Sequence, residues 1–429
     1  MNLSETMASS LDQIVNNFLY FGYQPPAEIP GWLLNLQVEG DHEYSVESAI
    51  QLLEKVFEES CKKRDADSCI VPISGGWDSR ILLGLARERF DSSQIRTFSF
   101  GTKSQLDLEI GRKVAKKLGV EHTEIHLDQI ELTWERLSES VRLSPWTYTP
   151  DAFFNRFCFE LIEAENSMVL SGFMGDPLTG GHYRDEKEGE IAVEIFLREQ
   201  GLFGKYRLTP DWYDPHEALP EIPDSKEVST YNILDFGIRQ AHCIAPIISS
   251  VAHWKGWDAT LGSIEKNGAG IITPFTHPDW ARYWIAAPKR DKMNRKLFLE
   301  VLKNKFPKLY RLPSKTFFGA KKPDTVEYKS KKALIYARIR LHQKIPALFS
   351  PPRQMLNYMD FKTAFKERDD YRELLERAQS FLEQHDIASW IEIDQMKRAH
   401  QLQNADLSKE FFRIIGLALN LEVHLRNLD

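Results

Sequence analysis

The stretch from Ser68 to Phe90 constrains the fold of this 429-residue chain more than any other. Ser68 to Ile73 is a short apolar run of the kind that forms a buried strand. It ends in Ser74-Gly75-Gly76-Trp77-Asp78-Ser79, after which Ser79 to Phe90 places Ile81, Leu82, Leu85 and Ala86 on one helical face. A buried strand that turns through two glycines into a helix belongs to an alternating strand–helix architecture, and its turn lies where such sheets bind ligands.

The residue types in that turn suit an anion. Gly75 and Gly76 let the backbone turn tightly and approach a ligand without Cβ obstruction. Unpaired N–H groups at the start of the following helix point outward, and the helix dipole favours negative charge there. The hydroxyls of Ser74 and Ser79 add donors. Asp78 would repel a bare phosphate, so a Mg²⁺ ion bridging carboxylate and phosphates is expected. The segment lacks the Gly-Lys-Ser/Thr ending of a Walker loop. On this reading Asp78 sits on a loop and Asp78→Ala leaves the fold intact.

Further elements follow in the same alternation. Arg96 to Phe100 reads as a strand, Gln105 to Leu118 as an amphipathic helix capped by Gly119, and Glu121 to Leu127 as a strand. Phe153 to Ala164 reads as a helix leading into a strand over Ser167 to Leu170. Upstream, Leu11 to Tyr20 and Ser45 to Lys62 have helical spacing, separated by a Pro-rich loop. Asp185 to Glu190 and Pro210 to Pro223 read as surface loops, and Tyr231 to Trp257 as an apolar helix. Beyond Ser330 the chain is helical and charged, with breaks at Pro346 and Pro351-Pro352. The expected fold is α/β, a parallel sheet with helices on both faces plus a mainly helical C-terminal extension. The expected division is a lead-in over 1–60, a nucleotide-binding domain over 61–325 and a helical region over 326–429.

Composition narrows the function classes. A net charge of −7 argues against a protein built to coat nucleic acid. Four cysteines without a CxxC pair or zinc spacing suit a reducing compartment. The polar, acidic start differs from a signal peptide, and no apolar run is long enough to span a bilayer, so a cytoplasmic location is expected.

The Ser-Gly-Gly-x-Asp-Ser loop resembles the pyrophosphate loop of the N-type ATP pyrophosphatases, which share the adenine nucleotide alpha hydrolase fold. Among these, the chain resembles asparagine synthetase and its relatives furthest along its length. Thr97 to Gly101 with Asp107 and Glu109 resembles the segment that frames adenine, with Phe100 in the ring-framing position. Ser171-Gly172, Gly175-Asp176 and Gly180-Gly181 resemble the family's second metal-site loop. Thr273-Pro274-Phe275, Lys296, and Lys315 with Phe318 follow the order of its later blocks.

The resemblance implies ATP and Mg²⁺ as cofactors. It places Ser74, Gly75, Gly76, Asp78, Ser79, Phe100 and Gly172 around the nucleotide, Asp78 and Asp176 on the metal, and Lys315 as the catalytic cation beside pyrophosphate. It implies adenylation of a small-molecule carboxylate and amide formation with ammonia or an amine. Asn2 stands where glutamine-using members carry a nucleophilic Cys, so the nitrogen is expected from free ammonia, an amine or a separate biosynthetic partner protein. Phe173 replaces the Glu or Tyr that follows Ser-Gly in relatives, and Pro177 replaces the Glu after the metal Asp. A phenyl ring cannot take a proton from an attacking amine. Two rival readings remain: a non-catalytic nucleotide-binding relative, and an enzyme that activates a nucleic-acid base.

Overall fold

The computed structural model describes residues 3–25, 44–62, 66–161, 167–181, 192–201, 206–220, 270–345, 348, 358–402 and 405–425. The expected helix over Tyr231 to Trp257 and the loop over Asp185 to Glu190 lie outside the described residues.

Five strands form one all-parallel sheet: β1 (Ser68–Pro72), β2 (Ile95–Gly101), β3 (Glu121–His126), β4 (Ser167–Leu170) and β5 (Gly270–Ile272). Their spatial order is β3-β2-β1-β4-β5. The chain builds outward from β1 through β2 to β3, then crosses to the other side of β1 to lay down β4. The reversal falls between β1 and β4, which opens a crevice beyond their carboxyl ends.

In chain order the helices are α1 (Leu3–Phe21), α2 (Val46–Lys62), α3 (Asp78–Arg89), α4 (Leu106–Leu118), α5 (Trp134–Leu143), α6 (Thr149–Glu160), α7 (Gly175–Leu178) and α8 (Ala192–Gly201). Then follow α9 (Pro278–Ala286), α10 (Lys289–Lys292), α11 (Lys296–Lys305), α12 (Pro307–Tyr310) and α13 (Val326–Lys344). The last four are α14 (Phe361–Glu367), α15 (Asp369–Gln384), α16 (Ile393–Leu402) and α17 (Ser408–Leu425).

Strand periodicity sorts these helices into two layers. Cys69, Val71, Met168, Leu170 and Ile272 point to one face, where they pack with Leu53, Val56 and Phe57 of α2, Ile81 and Leu85 of α3, and Trp280 and Trp284 of α9. The alternate residues Ile70, Phe98, Ile125, Val169 and Ile271 point to the other, against α1, α5, α6, α15 and α17. Both faces of the parallel sheet are therefore covered by helices, as the alternating pattern requires. The expected charged character of the C-terminal region does not extend to its last helix. Ile414, Ile415, Leu417, Ala418, Leu419 and Leu421 of α17 are all buried, so this helix is enclosed by the second layer.

Several elements among the described residues went unread in the sequence, namely α5, β5 and α7 to α12. β5 has only three residues, too few for a pattern, and exists because it pairs with β4. α5 is held by Thr133, whose side chain caps Arg136 N–H, and by Leu137 and Val141 facing the core.

One buried group links this second layer to pH. His400 lies between Phe365 and Phe411; its Nδ1 accepts from Leu407 N–H at 3.1 Å and its Nε2–H donates to Lys362 O at 3.0 Å. That arrangement requires the neutral ring, and burial lowers its pKa below the ordinary 6.5. The unfolded chain then binds the proton at higher pH than the folded one, so stability falls as pH drops below that value. Denaturant titrations from about pH 7 to about pH 5 are expected to show a smaller loss for His400→Gln than for the unaltered chain. Parallel curves would assign the loss to other groups.

Candidate functional site

The loop after β1 is closed largely by its own hydroxyls. Ser74 N–H donates to Ser79 Oγ at 3.3 Å and Gly76 N–H to Ser74 Oγ at 3.2 Å. Both hydroxyls act as acceptors there, which leaves their hydrogens to donate outward. Helix α3 begins at Asp78, and its N-cap residue Trp77 makes no side-chain capping bond. Trp77 thus gives no cap to the first turn of α3, at the mouth of the crevice, where the Asp78 carboxylate meets its own N–H. Asp78 is the first residue of this helix rather than a loop residue, and its side chain is only 15% exposed. The expectation that Asp78→Ala is structurally neutral is corrected accordingly.

The loop after β4 comes up against it. A Cβ on Gly172 would stand 3.0 Å from Ser79 N, and one on Gly175 would stand 2.4 Å from Asp78 Oδ1. A Cβ on Gly181 would lie 2.0 Å from Asp176 Oδ1. The glycines of this loop are thus spaces that carboxylates and a helix start fill. Met174 takes a left-handed backbone (φ 64°) immediately before α7, which turns Asp176 toward Asp78.

Between the two carboxylates lies Arg295, a residue the sequence reading did not single out. Its Nη2 donates to Asp78 Oδ1, and its Nη1 reaches Asp176 Oδ1 at 2.5 Å and Asp78 Oδ2 at 3.3 Å. Its Nε donates to Thr179 Oγ1 at 2.9 Å, and its guanidinium lies 4.3 Å from the Phe298 ring. Arg295 is buried and has a left-handed backbone (φ 57°), as has Asn294 before it (φ 54°). A non-glycine residue persists in that region only when its surroundings fix it. Burial alone would lower the Arg295 pKa, but Asp78 and Asp176 outweigh it, and the group is held charged with a raised pKa.

Among the described residues, two carboxylates face one guanidinium here. Burial pushes the Asp78 carboxyl upward, Arg295 opposes this and Asp176 adds to it. Asp176 is the outer member, with its side chain 44% exposed toward the crevice. Its hard oxygens, with those of Asp78, are of the type that could hold a Mg²⁺ ion. Arg295 occupies the inner edge of the pair, so a cation would be bound from the open side.

A third segment completes the rim. Lys315 N–H and the Ser314 hydroxyl both donate to Gly75 O, at 2.9 and 3.2 Å. Lys315 Nζ meets Asp107 Oδ2 at 2.6 Å, while Asp107 Oδ1 accepts from Gly75 N–H at 2.8 Å. Gly75 is thus held on both sides, by Asp107 and by the Lys315 segment. Its amide is turned to Asp107, so the anion-facing donors are those of the α3 start.

The Lys315 segment is itself anchored from α3. Arg80 is fully buried, and its guanidinium donates to Leu309 O (3.2 Å), Leu312 O (3.3 Å) and Pro313 O (2.7 Å). It also covers the Trp77 ring at 4.5 Å, and Trp77 stacks on Tyr310. Burial lowers its pKa to about 9, because these carbonyls supply no full negative charge.

The structure therefore assembles Ser74, Gly75, Gly76, Asp78, Ser79, Gly172, Asp176 and Lys315 at one crevice. Phe100, next to the carboxyl end of β2, lies on the second face of the sheet with Phe98 and stacks on Tyr358 at 5.8 Å. Arg295, Arg80 and Trp77 are the functional neighbours that were missed. The basic cluster from Lys289 to Lys296 was the available signal for Arg295, but basic runs are usually solvated surface. Phe173 packs beside the first apolar layer and presents no titratable group.

Residues 52–221 match the family model described as asparagine synthase. Curated relatives named 7-cyano-7-deazaguanine synthase match shorter stretches. The protein from Persephonella marina is 36% identical over 58 residues, 14% of this chain and 26% of that protein. The one from Nitrosococcus oceani is 26% identical over 111 residues, 26% of this chain and 47% of that protein. The chain thus spans from about a quarter to about half the length of these relatives. Among solved structures, an NH3-dependent NAD synthetase from Campylobacter jejuni is 15% identical, with a TM-score of 0.24, covering 39% of this chain and 80% of that one. An NMN synthetase from Francisella tularensis is 13% identical, with a TM-score of 0.23, covering 47% and 95%.

Removal of Arg295 would leave two close carboxylates without their cation. Arg295→Ala is expected to cost about 3–5 kcal/mol of stability by chemical denaturation. Arg295→Met combined with Asp78→Asn is expected to cost less than the sum of the single changes, because the two groups share one interaction. Strict additivity would mean that the ion pair carries no coupling.

Proposed function

We propose that this chain, whose residues 52–221 match the asparagine synthase family model, is an AMP-forming carbon–nitrogen ligase that uses ATP and Mg²⁺. A substrate carboxylate oxygen attacks the α-phosphorus of ATP, and the bond to the β-phosphate breaks. Pyrophosphate leaves and an acyl-adenylate remains. An amine nitrogen or ammonia then attacks the acyl carbon, AMP departs with the C–O bond electrons, and an amide is formed.

The observation that carries this reading is the convergence of Asp78, Asp176 and the start of α3 on the crevice between β1 and β4. The first-turn amides of α3 and the hydroxyls of Ser74 and Ser79 would hold the departing pyrophosphate. Bound Mg²⁺, held by Asp78 and Asp176, would neutralise phosphate charge. Lys315 would stabilise charge developing on the phosphates, and Asp107 fixes its ammonium beside Gly75. Arg295 sets the spacing of the two carboxylates before any nucleotide arrives, which reduces reorganisation at the reacting centre. Phe173 leaves the second loop without a proton acceptor at that position, so the amine's base lies elsewhere.

A second reading draws on the relatives named 7-cyano-7-deazaguanine synthase. In it the activated acid is a heterocycle of deazaguanine type, and the nucleotide chemistry is unchanged.

Exchange of labelled pyrophosphate into ATP, measured across a panel of carboxylates that includes such a heterocyclic acid, separates these readings. Carboxylate-dependent exchange is expected. Asp78→Asn and Lys315→Ala are each expected to lower it by about 10²–10³-fold. ATP binding without exchange for any acid would make the chain a non-catalytic nucleotide binder. Undiminished exchange in Asp78→Asn would remove the metal assignment.

A further inference from the structure

Helix α13 stands apart from the rest of the fold. Of its described side chains only Ile335 is buried, while Tyr328, Lys331, Arg338, Ile339 and His342 are half-buried on the same side. The remaining surface presents Val326, Leu334 and Leu341 to solvent, and Ile345 and Leu348 prolong this apolar strip past the helix end. Leu334 is 63% exposed and Val326 82%. Along one flank of the strip run Lys329, Lys332, Arg340 and Lys344, at spacings that share a helical edge. Residues 321–344 hold eight Lys or Arg against two Asp or Glu, in a chain whose net charge is −7.

The basic track does not stop at the helix. Arg311, Lys321, Lys322, Thr325 and Glu327 line a cleft of about 390 Å³ at the N-terminal end of α13. The same end rests on the catalytic rim. Lys331 Nζ donates to Gly319 O at 2.7 Å, and Tyr328 meets the rings of Phe317 and Phe318, two and three residues after Lys315. Lys332 lies over the rings of Tyr328 and Tyr336.

We propose that α13 and this cleft form a docking surface for an acidic peptide segment that also carries apolar side chains. That the segment delivers the substrate carboxylate rests on the ligase reading above. Charge complementarity selects an anionic partner, and the leucines select among anionic partners. A nucleic-acid backbone gains nothing from an exposed Leu334–Leu341 strip. A bilayer surface suits an apolar face with exposed cations on both flanks, whereas here the exposed ones line one flank and Lys331 and Arg338 on the other are half-buried, Lys331 against Gly319 O and Glu327. A flat surface also cannot enter the cleft, and a peptide side chain can. A peptide lying along α13 with one end in the cleft would lie at the end of the helix whose Tyr328 and Lys331 touch Phe317, Phe318 and Gly319, the segment that follows Lys315.

The test uses the full chain with four probes: a labelled helical peptide of Glu and Leu, poly-glutamate, a DNA duplex, and phosphatidylserine-containing vesicles. The Glu–Leu peptide is expected to bind most tightly at physiological ionic strength. Lys332→Glu with Arg340→Glu and Lys344→Glu should weaken it about tenfold or more. Leu334→Ser with Leu341→Ser should weaken it about as much, with no effect on poly-glutamate. Preference for duplex or vesicles, or wild-type peptide affinity in the charge-reversed variant, overturns the proposal. Pyrophosphate exchange with small acids is measured in parallel, because these residues lie outside the nucleotide crevice. Peptide binding that responds to both sets of changes while exchange is absent in every form keeps the docking surface and removes the ligase reading. Normal exchange with peptide affinity indifferent to both sets does the reverse.

Discussion

Arg295 with Asp78 and Asp176 is the interaction on which the site depends. Two carboxylates from different loops repel each other, and placing them side by side with little exposure is costly unless a cation lies between them. A lysine would supply the charge but not the planar fork that reaches both carboxylates and the Thr179 hydroxyl together. The left-handed backbone at Asn294 and Arg295 is what brings that fork into place. Segments about 120 and 220 residues apart in sequence are thereby held to one geometry.

The neighbouring arrangement around Gly75 follows the same logic with weaker partners. Its amide and carbonyl are both engaged, by Asp107 and by the Lys315 segment, so the turn is fixed from two directions. Arg80 then holds the Lys315 segment through three backbone carbonyls and Trp77. Anchoring by a buried guanidinium without a carboxylate is tolerable because the carbonyls and the ring face replace part of its hydration. The rim of the crevice is thus preorganised by residues that need not touch the substrate, and α13 extends it outward as an exposed, basic surface.

Much of the sheet was legible because strand and helix periodicities are local. β1, β2, β4, α3 and α4 follow from runs such as Cys69 to Ile73 and Ile81 to Ala86, and Gly119 ends α4 in the left-handed conformation expected of such a cap. β5 was illegible because three residues carry no period; α17 lies in the stretch read as helical, and only its burial on every side went unread. Phe100 shows a different limit: its motif position pointed to a nucleotide, and only the fold shows that strand alternation sets its ring beside Phe98 and Tyr358 near the carboxyl end of β2.

The sequence alone determined that a glycine-rich turn joins a buried strand to a helix within an alternating parallel-sheet pattern. It also pointed to Asp78, Asp176 and Lys315 as candidates for the chemistry, since residue type and motif spacing are properties of the chain itself. Only the tertiary structure decided how those charges are balanced. Asp78 lies at the first turn of a helix, its partner is Arg295, and Lys315 is paired with Asp107. The reason is that charge compensation depends on distance in space, and no local pattern records which distant cation will arrive between two carboxylates.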